Sequence, residues 1–327
     1  MQKLVAGVDI GGTNTAYALL DMQGNILGEG NFPTPSRNHS AYPSFEAYIR
    51  QLANGIQSLG STVLQPFTLA GIGVGAPNAN YYSGCIEDAA NLPWRGRLAL
   101  AQQLSQAFPQ PIPTYITNDA NAAAIGEMIY GGAKGMKNFV VVTLGTGVGS
   151  GFVVNGDLMY GHDGFAGEFG HIIVRRPGRE CGCGRCGCLE TYTSANGIVR
   201  TAIELLSQSK KASTLRDLPL NSLTAKVLND AARQGDPIAI EAFKYTGTLL
   251  GQALADLVAI TTPQAIFLFG GLTKAGDLIM EPTRMAMEEN LLSFWKEKVA
   301  LLPSALDDTN AAILGASALA WKELQNS

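Results

Sequence analysis

At 327 residues the chain exceeds the roughly 250–300 residues at which a single hydrophobic core stops growing, so two domains are expected. Its 23 basic and 27 acidic residues give a formal charge of −4, and 15% charged with 46% hydrophobic residues is the balance of a soluble globular protein. No basic tract points to nucleic acid or to an anionic membrane surface, and neither partner is expected.

The opening MQKLVAGVDI lacks the apolar segment and cleavage site of a signal peptide, and its apolar run ends at Asp9. No stretch reaches the roughly 20 apolar residues of a membrane span, Ala253–Ile260 being interrupted by Asp256. A cytoplasmic protein is expected. Four of the five cysteines fall within Cys181–Cys188, which fits a metal site in a reducing compartment better than a disulfide framework.

In chain order, Leu4–Asp9, Thr15–Leu20 and Asn25–Gly30 read as strands, the last two joined by a turn at Gln23-Gly24-Asn25. Ser44 can cap a helix whose apolar face is Phe45, Ile49, Leu52, Ile56 and Leu59. Leu69–Gly75 is a buried strand, a short helix lies near Leu98–Phe108, and the strand Thr114–Thr117 leads through Asn118-Asp119 into the Ala-rich helix Ala120–Tyr130. Phe139–Leu144, Val148–Val154 and Leu158–Tyr160 then repeat the opening order of strand, Gly/Thr turn, strand, Asn-Gly-type turn, strand, so the two lobes look related. Ser194 caps a helix to about Leu206, Lys210–Leu223 reads as a loop, and Asp236-Pro237 starts a long apolar helix through Ile260. Ala265–Phe269 is a buried strand ending at Gly270-Gly271, and Asn310–Leu324 is a closing amphipathic helix.

Several of these junctions carry chemistry. In Asp9-Ile10-Gly11-Gly12-Thr13 the glycines let backbone N–H groups approach an anion, Thr13 adds a hydroxyl, and Asp9 can hold a magnesium ion or its waters; a plain hairpin turn has the same composition. Gly145-Thr146-Gly147 supplies a second such turn, and two of them can grip one polyphosphate. There is no GxxxxGK[ST] motif, and Gly71–Ala76 matches a dinucleotide fingerprint only until Pro77 stands where a helix should begin. Asp119 is either a helix cap or a carboxylate placed at a strand's carboxyl end to accept a hydroxyl proton. His171, Cys181, Cys183 and Cys188 form a Cys3His set suited to tetrahedral zinc, with Cys186 an extra thiol able to replace one ligand. His39 and His162 have no such partners and read as surface or loop residues.

Together DIGGT (9–13), NLPW (91–94), NDANAAA (118–124), LGTGVGSG (144–151), EFGH (168–171), CGCGRCGCLE (181–190) and FGG (269–271) resemble the ROK family of bacterial sugar kinases and sugar-responsive repressors, nearly end to end. The chain looks most like the glucokinases of that family. The resemblance implies an α/β actin-like ATPase fold of the hexokinase type, two lobes with a central cleft, here divided as residues 1–118 and 119–309 with the helix at about 310–327 packing back on the first lobe. It implies Asp119 as general base, and Asn91, Asn118, Glu168, His171 and Glu190 as groups holding sugar hydroxyls. It also implies nucleotide binding by Asp9, Gly11, Gly12, Thr13, Gly145, Thr146, Gly147, Gly270 and Gly271. The expected cofactors are ATP, Mg2+ and structural Zn2+, with His171 serving both zinc and sugar, and the expected assembly is a homodimer. One position departs from the pattern: after Gly73–Pro77 the family commonly has glycine, and this chain has Asn78. The expected activity is ATP-dependent phosphorylation of the 6-hydroxyl of a hexose, glucose first, with N-acetylmannosamine, N-acetylglucosamine, mannose or fructose as alternatives. A repressor would need a helix-turn-helix ahead of a first strand that begins here by Leu4.

Overall fold

A computed structural model describes residues 1–36, 42–89, 91–306 and 311–326. His39 lies outside these residues, as does Asn310 at the expected start of the last helix. The contacts divide the chain into two units, one of Met1–Met136, Asp157–Ala166 and Ala305–Ser327, the other of Lys137–Gly156 and Gly167–Ser304.

The first unit begins with β1 (Gln2–Ile10), β2 (Asn14–Leu20) and β3 (Ile26–Pro33), followed by α1 (Phe45–Ser58) and β4 (Phe67–Gly75). Short strands β5 (Ala79–Asn80), β6 (Cys85–Glu87) and β7 (Arg97–Leu98) form a separate antiparallel meander. Then come α2 (Leu100–Gln106), β8 (Thr114–Thr117) and α3 (Asp119–Ile129). The main sheet runs β3-β2-β1-β4-β8, with β1, β4 and β8 parallel. Ser44 caps α1 as expected, its hydroxyl accepting from Ala47 N at 3.2 Å. The face that α1 turns inward, Phe45, Tyr48, Ile49, Leu52 and Ile56, is buried.

The second unit contains β9 (Phe139–Leu144) and β10 (Val148–Val154), and after β11 (Asp157–Leu158) continues with α4 (Glu190–Thr193), α5 (Ala195–Gln208), α6 (Ala225–Arg233) and α7 (Pro237–Thr261). It ends with β12 (Ala265–Phe269), α8 (Asp277–Asn290) and β13 (Ala300–Pro303), and α9 (Ala311–Asn326) belongs to the first unit. In its sheet β10, β9, β12 and β13 lie side by side in that order. Val140, Val142, Ile266 and Leu268 of this sheet share one core with Phe243, Leu250 and Leu254 of α7 and Met287 of α8. Among the described residues no helix is long and apolar enough to cross a membrane.

Three expectations change. The lobe boundary expected at 118/119 falls later, after Met136, because α3 packs along α9 and against β4 and so stays with the first sheet; residues 157–166 return to that unit as well. Lys210–Leu223 is more ordered than a loop: it holds 3-10 turns at Thr214–Asp217 and Leu220–Ser222 around a buried Leu215. Asp236 explains the first of these turns, since one carboxylate oxygen caps α7 through Ile238 N and Ala239 N while the other accepts from Thr214 N at 2.7 Å. Lastly, α6, α8 and β13 are elements that the sequence reading passes over, and Pro282 inside α8 obscures its helical pattern.

Candidate active site

In the first unit, strand register places the candidate residues. Asp9 pairs with Gly75, which pairs in turn with Thr117, so the carboxyl ends of β1, β4 and β8 are level. Ligands of open α/β sheets bind at that edge. Asp119 begins α3 two residues beyond the end of β8. The helix cap is Asn118, whose side chain accepts from Asn121 N at 2.7 Å; Asp119 is the first helical residue and bonds only locally, to Ala120 N at 2.8 Å, among the contacts described. The capping duty that competed with a chemical role for Asp119 therefore falls on its neighbour. Water reaches Asp119, yet the protein packed around it raises the pKa of its carboxyl above the ordinary value. Burial, with the nearby Asp119 adding to it, pushes Asp9 up to about 7. A carboxyl whose proton affinity is raised by burial and by a second carboxyl nearby suits either a shared proton or a divalent cation.

Gly11 N closes the first turn on Asn14 O at 2.9 Å, and Thr13 at its tip is exposed. A Cβ on Gly12 would stand 3.1 Å from Asn91 Cβ, so Asn91 lies directly on this turn. Asn91 is exposed while Leu92 and Trp94 beside it are buried. Trp94 anchors the segment: its ring centroid lies 4.7 Å from that of Tyr48, and its indole N–H donates to Pro43 O at 3.0 Å. At the departure from the family pattern, Asn78 holds φ 51°, the left-handed region that glycine adopts readily and asparagine tolerates. Its amide donates to Glu87 O at 3.0 Å, and Glu87 N returns a bond to Asn78 O at 3.1 Å.

In the second unit, the Gly145-Thr146-Gly147 turn joins β9 to β10. Gly145 N donates to Gly147 O at 3.1 Å, Thr146 is exposed, and Thr143 Oγ1 accepts from Gly149 N at 3.0 Å beneath the turn. A Cβ on Gly147 would stand 2.7 Å from a carboxylate oxygen of Glu190. Gly270 follows β12 at φ 107°, and Gly271 is exposed beside it.

The Cys3His set of the sequence comes together in this unit: the ligand atoms of His171, Cys181, Cys183 and Cys188 lie within 4.8 Å of one another. Cys183 Sγ and Cys188 Sγ are 3.6 Å apart, and Cys181 Sγ is 3.7 Å from His171 Nδ1. These are edge lengths of a tetrahedron around zinc with bonds of about 2.0–2.3 Å, so the residues fit the metal. Cys186 is exposed and outside the group. Nδ1 of His171 faces the thiols, while Nε2 faces Glu168 at 3.9 Å. Glu190 Oε1 lies 3.8 Å from His171 Nδ1 and 3.0 Å from Cys181 Sγ. Glu168, His171 and Glu190 thus cluster around the metal set. His162 is exposed, as expected.

The ROK family profile matches residues 5–323. The chain belongs to the ROK family. A glucokinase of Streptomyces coelicolor is 35% identical over 321 residues, which is 97% of each protein. A glucokinase of Halalkalibacterium halodurans is 36% identical over 288 residues, covering 86% of this chain and 84% of that one. The crystal structure of a ROK family glucokinase from Streptomyces griseus, in complex with glucose and AMPPNP, superimposes with a TM-score of 0.80 at 32% identity, covering 98% of this chain and 99% of that one. The fold is thus the actin-like ATPase fold of the ROK sugar kinases, as the motifs implied. The sequence reading missed the supports: Trp94 behind Asn91, Thr143 beneath the second turn, and Arg179 behind the cysteine loop. Only Trp94 left a signal, as the last residue of NLPW.

Proposed function

We propose that this chain is a glucokinase, catalysing ATP-dependent phosphorylation of the 6-hydroxyl of glucose. The observation that carries the reading is identity of 35% to a glucokinase across 97% of both chains, in a chain that has a carboxylate and an amide at each position where its motifs call for one. Asp119 serves as general base, accepting the 6-hydroxyl proton as that oxygen attacks the γ-phosphorus in line. Its raised pKa supports the role, because a base with greater proton affinity takes the proton further in the transition state. Asn91, Asn118, Glu168, His171 and Glu190 hold the sugar hydroxyls. The N–H groups of Gly11, Gly12, Gly145, Gly147, Gly270 and Gly271, with the Thr13 and Thr146 hydroxyls, serve the nucleotide.

Asp9, with Asp119 close enough to raise its pKa, is the group suited to Mg2+, which supplies charge neutralisation to the phosphates. His171, Cys181, Cys183 and Cys188 suit Zn2+. A closed set of four protein ligands supplies order rather than an activated water. His171 serves twice, Nδ1 toward the metal and Nε2 left for a sugar hydroxyl. A homodimer, expected from the family resemblance, and a cytoplasmic location complete the proposal.

The test is a coupled ADP-release assay giving kcat/KM for glucose, mannose, galactose, fructose, N-acetylglucosamine and N-acetylmannosamine under one set of conditions. Glucose is expected first, because polar groups matched to hydroxyls are left unpaired when one is inverted or replaced, which costs orders of magnitude. An acetamido sugar ahead by about tenfold, on that same discrimination scale, would leave a ROK kinase of different specificity.

A further inference from the structure

Arg179 stands two residues before Cys181, and no motif marks it. Its side chain is only 7% exposed. A guanidinium is rarely buried unless its donors are satisfied, and here each of its nitrogens is bonded. Nε donates to Glu204 Oε1 at 2.9 Å, and Nη2 to Glu204 Oε2 at 2.6 Å and to Thr201 Oγ1 at 2.9 Å. Nη1 donates to Thr191 O at 2.7 Å and to Gly197 O at 3.1 Å. Cζ sits 4.4 Å from the centroid of the Tyr192 ring. The main chain adds two more ties, Arg179 N to Tyr192 Oη at 3.0 Å and Gly187 N to Arg179 O at 2.8 Å.

The places where these bonds land decide the reading. Gly187 immediately precedes Cys188; Thr191 and Tyr192 immediately follow Glu190. Arg179 therefore grips the Cys188-Leu189-Glu190 segment from both sides, using no metal-ligand atom. We propose that Arg179 is a positioning residue that sets Cys188 for the metal and Glu190 for the sugar at the same time, so that the segment keeps its place before any metal binds. The sugar half rests on the glucokinase reading; the metal half does not. Lysine could not substitute, since its three donors on a point charge cannot span two carbonyls, a hydroxyl and a bidentate carboxylate while lying flat on a ring.

Arg179→Lys in the full-length, zinc-loaded protein tests this. Glucose KM should rise about tenfold, with kcat and ATP KM within about twofold, the pattern of lost ground-state positioning rather than lost chemistry. Zinc loss to a chromogenic chelator should also be about tenfold faster, as when the partners that orient a metal site are removed. A lowered Tm with glucose KM and zinc release unchanged would overturn the proposal and leave Arg179 a stability residue. Should that variant not fold, Glu204→Gln removes only the half-exposed outer partner, and a two- to threefold change is expected, roughly, in the same readouts. No change in either readout would overturn the proposal too. Were the wild type inactive on every hexose, the glucokinase reading would fall, and the zinc-release arm alone would decide whether Arg179 positions Cys188.

Discussion

The two glycine/threonine hairpins share an architecture and differ in chemistry. Two residues before the first glycine of its turn, β1 carries Asp9 and β9 carries Thr143. In the first unit that position bears a carboxylate whose pKa is raised to about 7 by burial and by Asp119. In the second, the hydroxyl is turned inward to accept from Gly149 N and stiffens its own hairpin. A carboxylate at that position can hold a cation, whereas a hydroxyl bonded within its own turn can only order it. The two hairpins thus share an order of strand, turn and strand and differ in what this position offers, charge in the first and order in the second.

Removing charge from the first unit should have the largest effect. Asp119→Asn is expected to keep the fold and glucose binding and to lower kcat by about a hundredfold or more, the usual cost of deleting a general base. Stability should move the other way. A carboxyl with a raised folded pKa contributes stability below its unfolded value, and this is lost as pH rises through the folded value. For Asp9 that window runs from the ordinary carboxylate range to about 7, and Asp119 shifts in the same direction. The Asn variant loses less across the window, because it has no carboxyl of its own there and relieves Asp9 of the Asp119 charge. Melting curves at pH 5 and pH 8 should therefore show Asp119→Asn gaining on the wild type at the higher pH. Near-normal turnover in a folded variant would return Asp119 to a purely local role at the helix start.

The next largest effect should come from the second unit, where order rather than charge is at stake. Stripping zinc with a chelator should lower Tm and raise glucose KM by about tenfold, an effect of the size seen when support is withdrawn from a binding group. Without metal, Cys181 carries a proton, and its sulfur stands 3.0 Å from Glu190 Oε1. The thiol then competes with a sugar hydroxyl for the same carboxylate. Metal analysis of the untreated protein should find about one zinc per chain, given one four-ligand set. A protein free of zinc with full activity would defeat this.

The same contrast explains what could be read from the sequence. Local signals survived: Ser44 and Ser194 as caps, the Asp236-Pro237 start, and the Cys3His spacing all depend on neighbours within a few residues. Elements that depend on distant packing did not. α8 lies along α7 and contains Pro282, and its place is set by that helix rather than by its own period. The lobe boundary was misplaced for the same reason, since only the packing of α3 on α9, nearly two hundred residues later, assigns it. Within the candidate site, the grouping of His171, Cys181, Cys183 and Cys188 was legible in their spacing. Arg179 was not, because its partners are carbonyls and a carboxylate spread over Thr191 to Glu204 that no spacing reveals.

The smallest effect is expected at Asn78, which stands where the family commonly has glycine. Asparagine at φ 51° keeps the backbone path that glycine would give, at a modest cost that its side chain partly recovers through the bond to Glu87 O at 3.0 Å. Asn78→Gly would relieve the strained φ, lose that bond, and loosen the unfolded chain. These terms are each of order 0.5–1.5 kcal/mol and of mixed sign, so the net change should stay within about 1 kcal/mol. Because the path of the main chain is unchanged, kcat/KM for glucose should shift by less than about threefold, and the ratio of glucose to N-acetylglucosamine by no more. A gain of tenfold or more for the acetamido sugar in Asn78→Gly, measured beside glucose in the same assay, would show instead that the Asn78 side chain, rather than its backbone, screens the 2-position.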